Sequence, residues 1–419
     1  MLERGVYNKD EEWVIDQVKG ISGTVKWADT EWTPDNMYPV ENRLITADII
    51  RNYVNAVGDF NPLYRDEEYA KRTRWGCMVA PPVLINKVAA TFGQPYLVRF
   101  PESLGQAEIY NAGSTYYFYK PIRVGDYFRV KDVWYTGFED KTRRDGRGGR
   151  QWLATSDRIF INQDDDVVCV AKRRRMYILY PFPKPGETTA AIASFPRLVR
   201  YKYTREELDY IDRIIDGEEI RGSVPRYWED LNEGDEIKPI AYPGLTNWDQ
   251  AAMFNQGEVP RSMRIISRET RKALPPEKLE QARFLIANPD TNIVHFGGDC
   301  HIDDYIGVSA GATMALTMGV QTDFMLCHLI TNWMGDDAFL KRFDTQNRNW
   351  NPNGDATFCG GKVIRKYVAD GEHLVDLAIW ARSIRSYLRS VANCTILLPS
   401  RQAERDAYKE LKAGELFKG

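Results

Sequence analysis

The chain is poor in the residues that most often carry metal or redox chemistry. Its 419 residues hold only six cysteines, Cys77, Cys169, Cys300, Cys327, Cys359 and Cys394, scattered without a CxxC pair. That spacing suggests neither a zinc ribbon nor a disulfide framework, and reduced thiols in a cytoplasmic protein are the simplest expectation. An excess of one charge is lacking too: 56 Lys and Arg against 59 Asp and Glu leave a net charge of -3, which gives no long-range reason to expect a nucleic acid partner. No window approaches ~18 uncharged apolar residues, and the opening MLERGVYNKDEEWV has no apolar signal core, so neither a membrane span nor export is predicted. Walker, GxGxxG and metal-ligand patterns are all missing, so no cofactor and no metal site is expected.

What remains is a globular composition, 43% hydrophobic and 12% aromatic, in a chain too long for one core of ~100–200 residues. Two domains of similar size are expected. In the first half, ITADIIRNYVNAVG (45–58) has Thr46 as N-cap, apolar residues at Ile49, Ile50, Tyr53, Val54 and Val57, and Gly58 as stop; this spacing predicts a short amphipathic helix. APPVLINKVAATFG (80–93) opens on prolines and continues almost uncharged, as a buried helix does. Four runs of alternating polarity follow, AGSTYYFYKP, DYFRVKDVWY, RQWLATSDRIFIN and VVCVAKRRRMYILY, and predict antiparallel strands that could wrap the helix.

Residues 181–225 form a connector in which TREELDYIDRIIDGEE has capping-box spacing between Thr204 and Glu207 and a stop at Gly217. Beyond it the pattern repeats. LTNWDQAAMF echoes ITADIIRNYV, GATMALTMGVQTDFMLCHLITNWMG is a longer apolar helix candidate, and strand-like runs fall around 342–351, 355–367, 373–382 and 387–398. KPIRVGDYF (120–128) and WNPNGDATF (350–358) both set a Gly-Asp turn just beyond a Pro-containing strand end. Gly-Asp turns are common, but the same order of elements around this one points to duplication. The expected organisation is a first unit at 1–180, the connector at 181–225, a second unit at 226–400 and a tail at 401–419. Residues 257–290 have no counterpart in the first half; PPEKLEQARFLIA within them predicts a surface helix, a lid or an oligomer contact.

All four histidines, His295, His301, His328 and His373, lie in the second half. Acid–base chemistry that needs an imidazole near neutrality must therefore use that half. His328, inside DFMLCHLITNW, reads as a core or interface residue, and His373, at the strand start DGEHLV, as solvated. His295 and His301 share PDTNIVHFGGDCHIDDYIG, dense in Asp, Gly and Asn just before the second apolar helix. A loop that feeds a helix N-terminus gathers free N–H groups that can hold an oxyanion such as a thioester enolate. With a histidine and carboxylates nearby, such a loop has the parts for adding or removing water at an activated double bond. It can equally be a loop that merely turns the chain.

GDFNPLYRDEEYA (58–70) resembles the Gly-Asp-x-Asn-Pro-x-His-x-Asp signature of the MaoC-like, R-specific enoyl-CoA hydratases. KPIRVGD and HLITNWMGDDAFL are similar to two-domain acyl dehydratases of this group. The resemblance implies an α+β double hotdog, two long central helices each wrapped by an antiparallel sheet, in a homodimer or higher oligomer. It further implies an acyl-CoA substrate, with coenzyme A entering only as part of that substrate. In the family the Asp and His activate water, and a backbone N–H near a Gly about eighteen residues beyond the His polarises the thioester carbonyl. On the first half the motif falls on Asp59 and Asn61, but Tyr64 stands in the His position and Pro82, which has no N–H, in the Gly position. A phenol with a pKa of ~10 is a poor base near neutrality, so this half is expected to cradle the acyl group rather than react with it. On the second half, His301, Asp303 and Gly319 fit the pattern, while Phe296 occupies the Asp position and Asp299 or Asp303 would have to substitute. A rival register places Asp290, Asn292 and His295 on the motif with Gly311 as the helix-entry glycine. The first register is preferred because HLITNWMGDD then aligns without gaps.

The expected function is thus hydration or dehydration at the α,β bond of an enoyl-CoA. A hotdog thioesterase and a non-catalytic acyl-CoA-binding or partner subunit are the alternatives. STYYFYKP suits an apolar or ring-bearing acyl group, though core packing explains it equally. The arginine runs RRDGRGGR (143–150) and KRRRM (172–176) could meet CoA phosphates but are expected as solvated strand edges.

Overall fold

The computed structural model describes residues 3–28, 43–87, 101–143, 149–180, 198–254, 285–287, 293–296, 300–309 and 312–402. Strands β1 (Val25–Trp27), β2 (Gln106–Phe118), β3 (Arg129–Asp140), β4 (Arg150–Ile161) and β5 (Val167–Tyr180) come from the first half. The second half supplies β6 (Glu236–Tyr242), β9 (Phe339–Asn347), β10 (Thr357–Ala369), β11 (Glu372–Ser383) and β12 (Leu388–Leu397), with β7 (Leu285–Ala287) and β8 (Val294–Phe296) as a separate hairpin. The other ten strands form one sheet in the order β1-β3-β4-β5-β2-β9-β12-β11-β10-β6. Replacing each strand by its counterpart reproduces that order read backwards, so the sheet has an internal two-fold arrangement. Its centre is the antiparallel pairing of β2 with β9, where Tyr116 faces Phe343.

Local sequence accounts for the flanking helices. In α2 (Ala47–Val57) the Thr46 side chain caps Ile49 N–H, Gly58 ends the helix at φ +83°, and Ile50, Tyr53, Val54 and Val57 are buried. The connector helix α4 (Arg205–Asp216) has the full Thr204/Glu207 capping box. It covers the outer face of the second half-sheet through Ile211, Ile214 and Ile215 against Ala241 and Ala356. The first half-sheet is covered in the same way by α1 (Lys9–Ile21), whose Val14, Ile15 and Val18 pack on Tyr135, Trp152 and Tyr177. Among the described residues, short helices α3 (Glu67–Lys71), α5 (Asn247–Phe254) and α6 (Asp304–Ser309) accompany the central α7 (Gly319–Met334). Every residue of α7 from Gln321 to Met334 is buried, and the helix lies against β2, β6 and β9 to β12. One continuous core joins both halves, including the edge contact of Tyr53 with Phe324 at 5.2 Å.

Several expectations need correction. The second apolar segment does not become helical until Gly319, because residues 315–317 are held extended: Thr317 N–H donates to Asn351 O and Asn353 N–H to Ala315 O. The first, APPVLINKVAATFG, begins as a 3-10 turn at Pro82–Asn86, and its continuation lies outside the described residues. In PPEKLEQARFLIA, Leu285–Ala287 is a strand rather than helix; the remainder lies outside the described residues. KRRRM is not on an edge, since β5 lies between β4 and β2. Arg174 is used at the centre of the sheet, donating to Asp344 Oδ1 at 2.8 Å. Among the described residues no helix is long and apolar enough to cross a membrane.

Candidate active site

Backbone hydrogen bonds put the two halves in register residue by residue. In the first, Gly125 N–H donates to Ile45 O, Ala80 N–H to Ile122 O, Val124 N–H to Met78 O and Ala70 N–H to Asp66 O. In the second, the same roles fall to Gly354 and Leu245, Thr317 and Asn351, Asn353 and Ala315, and Gly307 and Asp303. Residues 66–80 and 303–317 therefore correspond without a gap. Carried to their neighbours, the offset puts His301 where Tyr64 stands and Gly319 where Pro82 stands.

Each loop is shaped by its own polar side chains. Asp59 Oδ1 accepts Asn61 N–H, and Asn61 Oδ1 accepts Leu63 N–H to start the turn that ends at Tyr64. In the second half, His301 sits in the corresponding short turn, and Asp303 Oδ1 accepts Ile306 N–H at the start of α6. Asp303 thus serves as a helix cap, the role Asp66 has for α3.

His301 Nδ1 lies 2.7 Å from Leu316 O. A carbonyl only accepts, so Nδ1 carries the proton and Nε2 is the basic nitrogen of the neutral ring. Burial pushes the imidazole down to about 4; the Leu316 carbonyl works against that shift, and the Lys87 ammonium adds to it. The ring is therefore neutral throughout the ordinary pH range. Its own backbone carbonyl accepts from Asn353 Nδ2 at 2.5 Å. Lys87 comes from the first half, is 1% exposed, and holds Nζ 5.7 Å from the Phe324 ring of α7. Gly319 opens α7 in a crowded place: a Cβ there would meet Asn347 Nδ2 at 3.0 Å and Asn111 Cβ at 3.1 Å.

His295 lies in β8, opposite Ile286 of β7. Asp290, Asp299 and Gly311 lie outside the described residues. The first-half residues are brought against α7 instead. Asp59 approaches His328 Nε2 at 3.8 Å, Asn61 Nδ2 donates to Asp336 Oδ1 at 3.4 Å, and Tyr64 is 2% exposed. His328 also meets Glu218 at 2.8 Å and Tyr242 at 2.6 Å. Burial opposes its charge, but Asp59 and Glu218 outweigh burial and raise its pKa. The core or interface place expected for His328 is the one observed, while its pairing with Asp59 carried no signal in the sequence. His373, expected to be solvated, is half-buried with its ring 5.1 Å from that of Trp228. Beside Tyr64, a recess lined by Trp75, Phe118, Ile122 and Phe339 is mainly apolar.

The paired half-sheets, the central helix and the two corresponding loops define a double hotdog. Residues 36–171 match the family described as FAS1-like, dehydratase domain region. A UPF0336 protein of Streptomyces avermitilis is 31% identical over 96 residues, covering 22% of this chain and 61% of that relative's length. A solved MaoC-like dehydratase shares 16% identity, with 91% of this chain and 100% of that one covered at a TM-score of 0.59. A Mycobacterium tuberculosis protein described as a double hotdog covers 90% of this chain and 96% of its own at 13% identity and a TM-score of 0.48. The chain has the double-hotdog fold seen in the solved MaoC-like dehydratase, and residues 36–171 are similar to the FAS1-like dehydratase region.

Proposed function

We propose that the protein is a hydro-lyase that adds water to, or removes it from, the α,β bond of an enoyl thioester of coenzyme A, with His301 as the acid–base residue. The observation that carries this reading is the tautomer of His301. Its Nδ1–H is engaged by Leu316 O, so Nε2 is the basic nitrogen of the neutral ring, in the half that retains both the His and the helix-entry Gly of the family pattern. In hydration, the water oxygen bonds to the β-carbon as Nε2 takes its proton, and that proton is then delivered to the α-carbon. Negative charge that develops on the thioester oxygen is suited to N–H groups at the start of α7, near Gly319. One water enters and nothing is oxidised or reduced. Dehydration runs the same steps in reverse.

The test is a panel of enoyl-CoA and 3-hydroxyacyl-CoA thioesters followed by enoyl absorbance and free thiol together. The reading expects an absorbance change without thiol release. Release of free thiol in step with the absorbance change would indicate a thioesterase, and saturable binding with turnover only on adding another chain would indicate a partner subunit.

A further inference from the structure

The turn that carries His301 is held from a distance by an amide that the first unit lacks. Asn353, in the Gly-Asp turn between β9 and β10, is 3% exposed, and its Nδ2 donates to the His301 carbonyl at 2.5 Å. A carbonyl only accepts, which fixes the amide with Nδ2 toward His301 and Oδ1 away from it. Oδ1 receives Gln250 Nε2 at 3.2 Å and the Thr317 hydroxyl at 3.4 Å. The first unit carries none of these side chains at the matching places. Val124 N–H donates to Met78 O as Asn353 N–H does to Ala315 O, Ile50 N–H to Thr46 O as Gln250 N–H to Thr246 O, and Ala80 N–H to Ile122 O as Thr317 N–H to Asn351 O. Valine, isoleucine and alanine thus stand where the second unit has two amides and a hydroxyl, in the half where Tyr64 replaces the histidine.

Asn353 acts on both ends of the bond that sets the tautomer. His301 Nδ1 donates to Leu316 O at 2.7 Å. Asn353 holds the backbone of the donor through Nδ2, and the strand of the acceptor through its N–H on Ala315 O and its Oδ1 on Thr317. That strand has further supports, since Leu316 N–H donates to Cys300 O and Ala315 N–H to Asp304 Oδ1 at 3.0 Å. Loss of the Asn353 side chain therefore leaves the strand fastened and releases a hold on the His301 turn. The hydrogen bond at one ring nitrogen decides which nitrogen carries the proton. A ring that drifts from Leu316 O spends part of its time protonated on Nε2, where it cannot act as a base.

We propose that Asn353 is a positioning residue for the hydro-lyase reaction: it fixes the His301 turn against Leu316 O, so that Nε2 stays the basic nitrogen and keeps its aim. It touches no reacting atom and works through the backbone of His301. Misplacing a reacting group by ~1 Å can cost about 100-fold in rate, so a tether on the residue's own carbonyl bears directly on turnover. The inference rests on the hydro-lyase reading for its effect on rate, and on the hydrogen bonds alone for its effect on the ring.

The experiment makes Asn353→Val, the first unit's residue, and follows steady-state kinetics together with the histidine ring nitrogens by NMR, the His301 signals being those lost in His301→Ala. Three changes are expected in Asn353→Val. The turnover number kcat falls by at least about tenfold with KM little changed. The acid limb of kcat/KM moves up from near pH 4 toward ~6.5 as the loosened ring gains water, the Lys87 ammonium that also lowers the His301 pKa being left in place. The ring proton is shared between Nδ1 and Nε2 instead of being held on Nδ1. Gly371→Ala, strained by its φ of +81°, is the control that lowers stability and moves none of the three. Should Asn353→Val not fold, Asn353→Ser replaces it with the same outcomes expected, its hydroxyl ending one bond short of the amide nitrogen. A folded variant that keeps kcat within about threefold of wild type, an unchanged tautomer and acid limb, or the same changes in Gly371→Ala would overturn the proposal. Should the wild type turn over no thioester, the hydro-lyase reading fails alone: a changed His301 tautomer in Asn353→Val would still support the tether, and an unchanged one would sink it.

Discussion

His328 Nε2 lies 3.8 Å from the Asp59 carboxylate, across the joint between the two units. Asp59 is the acidic residue of the GDFNPLY motif, 1% exposed, and His328 belongs to the central helix of the other unit. Glu218 of the connector joins them, its Oε1 accepting from Asn332 Nδ2 at 2.5 Å and lying 2.8 Å from His328. The residue that the family resemblance assigns to water is here part of a buried charge cluster that ties three segments together.

Glu218, 2.8 Å from His328, still compensates it when Asp59 is lost, so Asp59→Asn is expected to cost about 1–3 kcal/mol in a urea denaturation experiment. His328→Gln should cost less in the Asp59→Asn background than alone, the two couplings overlapping. The pH dependence has a definite sign. The folded state raises the His328 pKa, so the stabilisation is fully present below the unfolded value of ~6.5 and is lost as pH rises through the folded value. The stability difference between wild type and His328→Gln should therefore shrink over the pH window that opens above ~6.5. A difference that grows over that window would contradict the cluster.

His301 behaves in the opposite sense. Its folded pKa is pushed down to about 4, so its contribution to stability is present above ~6.5 and is lost as pH falls toward the folded value. As a base it needs the neutral ring. The acid limb of kcat/KM should accordingly fall near pH 4 rather than near ~6.5. His301→Ala is expected to lower turnover by at least about 100-fold. If His301→Ala stays active and His295→Ala does not, the site moves to the rival register.

Restoring the missing histidine of the first motif should not create a second active site. Tyr64→His would place an imidazole at the position equivalent to His301. Pro82 still supplies no N–H at the helix entrance, and Asp59 is already engaged by His328. The double variant Tyr64→His/His301→Ala is expected to be as inactive as His301→Ala alone. Recovery of more than about tenfold would show that the first unit retains the rest of the machinery.

The scaffold was largely legible because its signals are local. Thr46, Gly58, Thr204 and Glu207 cap or stop helices through neighbours a few residues away, and strand alternation needs only a half-buried sheet. The candidate site was legible as a short list of four histidines, the residue type suited to acid–base chemistry near neutrality. It was not legible where partners are distant in sequence. Nothing local to His328 indicates Asp59, 269 positions earlier, and nothing in KPIRVGD or WNPNGDA announces that Ile122 and Asn351 occupy matching places. Once the backbone fixes that correspondence, the polar replacements in the second unit stand out.

The seam between the units should depend on Gly113 more than on any ordinary turn glycine. Gly113 has φ +117°, and a Cβ there would lie 2.1 Å from Thr345 O of β9, too close for any real contact. Two penalties therefore combine, a backbone angle that side chains avoid and a clash with backbone that cannot rotate away. Gly371, in the β10–β11 hairpin, has φ +81° with open space around it, so alanine there meets only the first. Gly371→Ala is expected to cost about 1–2 kcal/mol and Gly113→Ala about 3 kcal/mol or more, read from urea midpoints. Because Lys87 of the first unit acts on His301 of the second, Gly113→Ala should also lower turnover at a temperature where both variants remain folded. Equal costs for the two substitutions would mean that β2 and β9 do not meet as described.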